Sequence, residues 1–162
     1  MILIGVGNAW RGDDGAGLAV ARRVRELAPA GVDVREVEGD ATTLLEAWAG
    51  AEHVAVVDAG ESGAAAGTVL RFDACSQPLP VGGLRSSTHA FGVSDAVELA
   101  RALGHLPDRL DVYVIEGENF TAGERLSPAV QRAVAELASE LSASRRGRPR
   151  PATAKGGRSA GC

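Results

Sequence analysis

Five short apolar runs alternate with amphipathic helical patterns along this chain, and that alternation restricts its fold more than any other feature. The runs cover residues 1–6, 32–37, 53–58, 68–72 and 110–115. Between the first two, a helical pattern over 15–27 puts Leu18, Ala21, Val24 and the following Ala28 on one face, with Arg22, Arg23, Arg25 and Glu26 mostly opposite. Asp40 or Thr42 can cap a helix over 43–49 that ends at Gly50, and a third helix over 94–103 stops at Gly104. Ser127-Pro128 reads as an N-cap followed by a proline in the first helical position, with the last helix continuing to 141. The order β-α-β-α-β-β-α-β-α predicts an α/β fold: a single three-layer α/β/α domain around a five-stranded, mostly parallel mixed sheet. The step from 53–58 to 68–72 through AGESGAAAG lacks a helix, so it allows a hairpin and one antiparallel strand. Residues 74–87 show no period and read as a long loop, the kind of segment that often carries function.

The chain has 162 residues, of which 45% are hydrophobic and only 4% aromatic, so the core of one domain must be built from Val, Leu, Ala and Ile. No apolar stretch approaches the roughly 20 residues that span a bilayer, and Met1 leads directly into a strand pattern rather than a leader. The expectation is a cytoplasmic protein without a membrane partner. Charge divides the chain into two parts. Residues 144–162 hold five Arg, one Lys and no acid, whereas residues 1–143 hold 11 basic and 21 acidic side chains. The expected organisation is therefore an acidic domain over 1–143 and a solvated, disordered basic tail over 144–162. An acidic body argues against nucleic acid as a partner.

The first strand runs into GVGNAWRGDDGAG, residues 5–17, a glycine-rich turn before a helix. Such turns often hold phosphate, but this one does not fit. Trp10 stands where the dinucleotide fingerprint needs its third glycine. Gly7 and Gly12 have P-loop spacing, yet Asp13-Asp14 replace the Lys and hydroxyl residue that should follow. A carboxylate there repels a phosphate oxygen by about 1 to 4 kcal/mol at close range, depending on the effective dielectric. The loop suits a cation or a water-activating carboxylate instead. Asp13 has a simpler reading, as a charge complementing the positive end of the following helix.

Two further residues stand where an α/β sheet carries its chemistry. Asp58 closes the apolar run HVAVVD, and active sites of open sheets lie beyond the carboxyl ends of their strands. The plain alternative for Asp58 is turn formation. His89 lies in STHAFG between the long loop and the third helix, where a cap or a satisfied polar residue is the plain alternative. Two carboxylates and an imidazole make a mixed oxygen and nitrogen donor set suited to Zn, Ni, Fe or Mn. His53 belongs to the opposite rim and His105 follows a helix stop, so both are set aside. Neither Cys75 nor Cys162 has metal-ligand spacing, Cys75 has no placed histidine, and no GxSxG elbow is present.

GVGNAWRGDDGAG, VVDAG, STHAFG and GERLSPAV, in that order, resemble the nickel–iron hydrogenase maturation endopeptidases over residues 1 to about 141. The resemblance implies an enzyme that removes a C-terminal extension from the nickel-loaded large-subunit precursor. It implies that Asp14, Asp58 and His89 are both the catalytic and the metal-facing residues. It further implies an aspartyl-type hydrolase with no Ser or Cys nucleophile, in which water attacks the peptide bond. The nickel would be the precursor's own, with no organic cofactor. Glu38, after the second strand, is a weaker addition to the site, and Asp14 stands where the family often has Glu. Asp40, Glu116 and Glu118 are expected to cap helices or to lie on the surface. Two rival readings are a non-catalytic nickel-sensing chaperone of the large subunit and a nucleotide-binding regulatory domain, the latter disfavoured by the loop's acids. A monomer is expected.

Overall fold

A computed structural model describes residues 1–38, 40–80 and 92–143. The expected tail over 144–162 and His89 lie outside the described residues. Strands β1 (Ile2–Val6), β2 (Asp33–Val37), β3 (His53–Gly60), β4 (Val69–Asp73) and β5 (Arg109–Glu116) form one sheet in the order β2-β1-β3-β5-β4. Helices α1 (Ala16–Leu27), α2 (Ala41–Trp48), α3 (Val93–Leu103) and α4 (Pro128–Ala143) cover it, and a 3-10 turn (Gly12–Gly15) precedes α1. This is the three-layer α/β/α domain expected from the alternation. No helix among the described residues is long and apolar enough to cross a membrane.

Side chains along a strand alternate between the two faces of the sheet, and the core divides accordingly. Leu3, Ala55, Val57 and Ile115 pack with α1 and α4 on one face. Ile4, Val6, Val54, Val56, Val112 and Val114 pack with α2 and α3 on the other. Central parallel strands are buried on both faces, which is why β1 and β3 read as unbroken apolar runs. Helix α1 lies unusually close to the sheet because residue 17 is glycine. A Cβ there would sit 2.2 Å from the Val57 carbonyl oxygen and 2.3 Å from that of Val6. The first turn of α1 is thereby held against the carboxyl ends of both β1 and β3.

The antiparallel strand has a different partner from the one the turn chemistry suggested. Strand β4 pairs with β5, Val69 opposite Ile115 and Asp73 opposite Asp111, and makes no hairpin with β3. Both sides of β3 are already occupied by parallel partners, β1 and β5, so β4 can only add at the outer edge. Helix α2 starts at Asp40, whose Oδ1 accepts the Thr42 and Thr43 N–H groups at 3.0 Å each. Ahead of α3, Asp95 Oδ2 accepts the Gly92 N–H at 3.0 Å.

At the amino-terminal rim, His53 Nε2 lies 3.0 Å from Asp111 Oδ2, and Arg109 Nε donates to the same oxygen at 2.8 Å. Burial alone would raise the pKa of Asp111, but hydrogen bonds and charge from His53 and Arg109 outweigh it and hold the carboxyl below its ordinary 3.8. Since the folded value lies below the unfolded one, ionised Asp111 stabilises the fold fully above about pH 4. That contribution disappears as pH falls through the folded value. Asp111→Asn should therefore lower the urea midpoint at pH 7, with the difference from wild type shrinking below about pH 4. A difference that does not change with pH would assign the effect to packing.

Candidate active site

The loop after β1 is shaped by its backbone before any side chain acts. Gly7 has φ +137°, a conformation that L side chains rarely adopt, and a Cβ there would meet the Asp14 carbonyl oxygen at 1.9 Å. Three backbone bonds then lace the turn: Asn8 N–H to Asp14 O at 3.3 Å, Arg11 N–H to Asn8 O at 3.2 Å, and Asp14 N–H to Arg11 O at 3.2 Å. The Asn8 side chain adds a further bond, its Oδ1 accepting the Trp10 N–H at 2.9 Å. The 3-10 turn that follows is buried at all four positions.

Asp13 and Asp14 are both fully buried. Asp13 is structural, and its carboxylate makes bonds well beyond the helix end. Its Oδ2 accepts the N–H groups of Glu118 and Asn119 at 2.9 and 3.0 Å, and its Oδ1 accepts that of Ser127 at 2.6 Å. Its own N–H donates to Asn119 O at 2.7 Å. Asp13 thus ties the first loop to the β5–α4 connection, while α1 begins with Gly15 and no side-chain cap. Asp13 still stands at the amino-terminal end of the helical segment, as expected, and the three-bond clamp adds to that position.

Asp58 is 2% exposed and lies within β3, opposite Val114 of β5. The strand continues two residues beyond it to Gly60, because Ala59 and Gly60 still pair with Ile115 and Glu116. Its Oδ1 accepts the adjacent Ala59 N–H at 2.8 Å. The 3-10 turn carrying Asp14 packs on β3, so Asp14 and Asp58 belong to one carboxyl-end rim. His89, the third expected member, lies outside the described residues. Among the described residues, no three metal-ligating side chains gather into a cluster.

Glu116 was expected at a cap or on the surface and is neither. It is 1% exposed. Its Oε1 accepts the Ser62 and Gly63 N–H groups, each at 2.8 Å, and its Oε2 accepts the Ser62 hydroxyl at 2.7 Å. It fixes the loop after β3, directly beyond Asp58. Neither Glu116 nor Asp13 announces this role in the sequence, since their partners lie 53 to 54 and 105 to 114 residues away. Glu38 and Glu118 are exposed, and Asp40 caps α2 as expected.

Burying a carboxylate is unfavourable unless hydrogen bonds or an opposite charge compensate it. The described residues bury four: Asp13, Asp14, Asp58 and Glu116. Asp13 and Glu116 serve as clamps on backbone N–H groups. Asp14 and Asp58 bring two carboxylates to the rim where the loops after β1 and β3 emerge, the position favoured by open α/β sheets for binding. Carboxylates there can face a divalent cation or accept a proton from water.

Comparison with known proteins identifies the family and the fold. The hydrogenase maturation protease (HycI) family model matches residues 23–144, a span that includes Asp58 and begins after the Asp14 loop. The hydrogenase expression/formation protein HupD of Rhodobacter capsulatus is 29% identical over 152 residues, covering 88% of this chain and 71% of that protein. Among solved structures, the hydrogenase maturating endopeptidase HybD of E. coli superposes with a TM-score of 0.70 at 22% identity, covering 90% of this chain and 91% of that one. A hydrogenase 2 maturation peptidase from a Thaumarchaeota archaeon gives 0.63 at 25% identity, with 90% and 97% covered. The family match extends over most of the domain and the same fold carries it: this chain belongs to the hydrogenase maturation protease family.

Proposed function

We propose that this protein is the endopeptidase that removes the C-terminal extension from the nickel-loaded large-subunit precursor of a [NiFe] hydrogenase. It would act as a monomer in the cytoplasm and need no organic cofactor. The observation that carries the reading is the pair of buried carboxylates, Asp14 and Asp58, at the carboxyl rim of a domain of this family.

The reaction is hydrolysis of one peptide bond by water, without a Ser or Cys nucleophile. Nickel held in the precursor is part of the substrate, where it can polarise a carbonyl and acidify a neighbouring water. Asp14 and Asp58 divide two tasks, facing that nickel and taking the water's proton, and His89 serves as a further nickel-facing group or proton carrier. The water oxygen adds to the carbonyl carbon as its proton passes to the carboxylate. The same proton is then returned to the amide nitrogen as the C–N bond breaks, releasing a new carboxyl terminus and the amine of the extension. The clamps made by Asp13 and Glu116 keep both loops in place during these steps, so that the carboxylates need little reorganisation.

The direct test incubates the purified protein with its nickel-loaded precursor and measures the precursor's intact mass. Loss of a single C-terminal segment is expected. A stable complex with no change in mass would instead give the non-catalytic chaperone.

A further inference from the structure

The most exposed large apolar side chain among the described residues is on the catalytic loop. Trp10 is 80% exposed, whereas the other tryptophan, Trp48, is 2% exposed in the core. An indole carries one of the largest apolar areas of any side chain, and little of that area is covered by the fold at this position. Its backbone is nevertheless fixed on both sides. The Trp10 N–H donates to Asn8 Oδ1 at 2.9 Å, and the Trp10 carbonyl accepts the Gly123 N–H at 2.7 Å. The next residue is also tied down, Arg11 donating from its guanidinium to Phe120 O at 3.4 Å. The loop that closes on Asp14 therefore holds an aromatic ring out into solvent from a rigid base.

Beside Trp10 lies a shallow groove of about 270 Å³ between Asn8 and the end of β2, with Leu18 and Val37 in its lining and the charged Arg22, Glu36 and Glu38 also present. Pockets that enclose whole small molecules are commonly about 300 to 1,000 Å³ and concave. This groove is smaller and open, so it suits a side chain carried by a polypeptide. A rigid aromatic anchor loses little conformational freedom on contact, which is why Trp recurs at the energetic centres of protein interfaces.

We propose that Trp10 is the docking anchor for the precursor polypeptide. An apolar side chain near the scissile bond packs on the indole and enters the groove, which sets the bond against Asp14 and Asp58. This inference rests on the endopeptidase reading above. Trp10 touches a substrate side chain and not the reacting atoms, so its loss weakens docking more than chemistry.

The test uses Trp10→Ala and Trp10→Phe, whose thermal melts should match wild type because the ring contributes nothing to the core. With nickel-loaded precursor, Trp10→Ala should raise KM about 30-fold, a hot-spot-sized loss, and leave kcat within about threefold; Trp10→Phe should restore most of the affinity. Protein labelled with 5-fluorotryptophan gives two fluorine resonances, assigned by Trp10→Phe, and unlabelled precursor should shift that of Trp10 and not that of Trp48. An unchanged KM in Trp10→Ala, or a Trp10 resonance that does not move in the complex, would overturn the proposal while wild-type cleavage leaves the endopeptidase reading standing. If wild type binds without cleaving, that reading fails, and the Trp10 resonance still decides whether the precursor docks on the indole.

Discussion

An Asp14→Asn variant is expected to remain folded and to lose about 10²- to 10⁴-fold in processing rate, the usual scale for removal of a general base. Asn has nearly the same shape as Asp, and the backbone bonds of residue 14 to Asn8 and Arg11 do not depend on its carboxylate. Because the substitution keeps the volume of a fully buried side chain, a thermal melt should still show one cooperative transition. Single-turnover assays on nickel-loaded precursor, read by mass spectrometry beside a thermal melt, separate the two effects. A variant that cleaves at the wild-type rate would remove Asp14 from the chemistry.

One residue earlier, the opposite outcome is expected. Asp13→Ala leaves three N–H groups, those of Glu118, Asn119 and Ser127, without the acceptor they share in the native fold. A fully buried orphaned donor costs about 1 to 3 kcal/mol; these three are part-buried, so their sum is about 3 kcal/mol, still a large part of the 5 to 15 kcal/mol typical of a whole domain. A loss of about 3 kcal/mol corresponds to about 10 °C in melting temperature at this size. Asp13→Asn should fall between wild type and Asp13→Ala, because its amide keeps one oxygen and turns an N–H₂ group toward a donor. Processing should fall with stability and recover at low temperature in whatever fraction is folded. An Asp13→Ala variant as stable as wild type would show that the clamp does not hold the loop. The pair of substitutions thus distinguishes a carboxylate used for chemistry from its neighbour used for architecture.

These neighbours also mark how far the sequence can be read. The layered architecture was legible because central parallel strands leave unbroken apolar runs and the helices carry a 3.6-residue period. Elements matched to within about two residues at their ends, as with β3, whose last two pairings depend on β5 rather than on anything local. The partner of β4 was not legible, since the turn from β3 permits a hairpin and only the prior occupation of both β3 edges forbids it. The position of Asp58 at a strand's carboxyl end was visible, but Glu116 has the same signature: an acid closing an apolar strand. What separates them is that Glu116 accepts N–H groups from a loop more than 50 residues away. Asp13 and Asp14 are indistinguishable by type and differ only in which way the 3-10 turn aims them. Trp10 was noted for the glycine it replaces, and only its exposure gives it a role.

The measurement that tests the account most directly is the intact mass of the large-subunit precursor, nickel-loaded and nickel-free, after incubation with wild-type protein and with Asp14→Asn. One C-terminal cut is expected, in the nickel-loaded precursor with wild-type protein alone. Cutting of both precursors, or of the loaded precursor by Asp14→Asn at the wild-type rate, would contradict it.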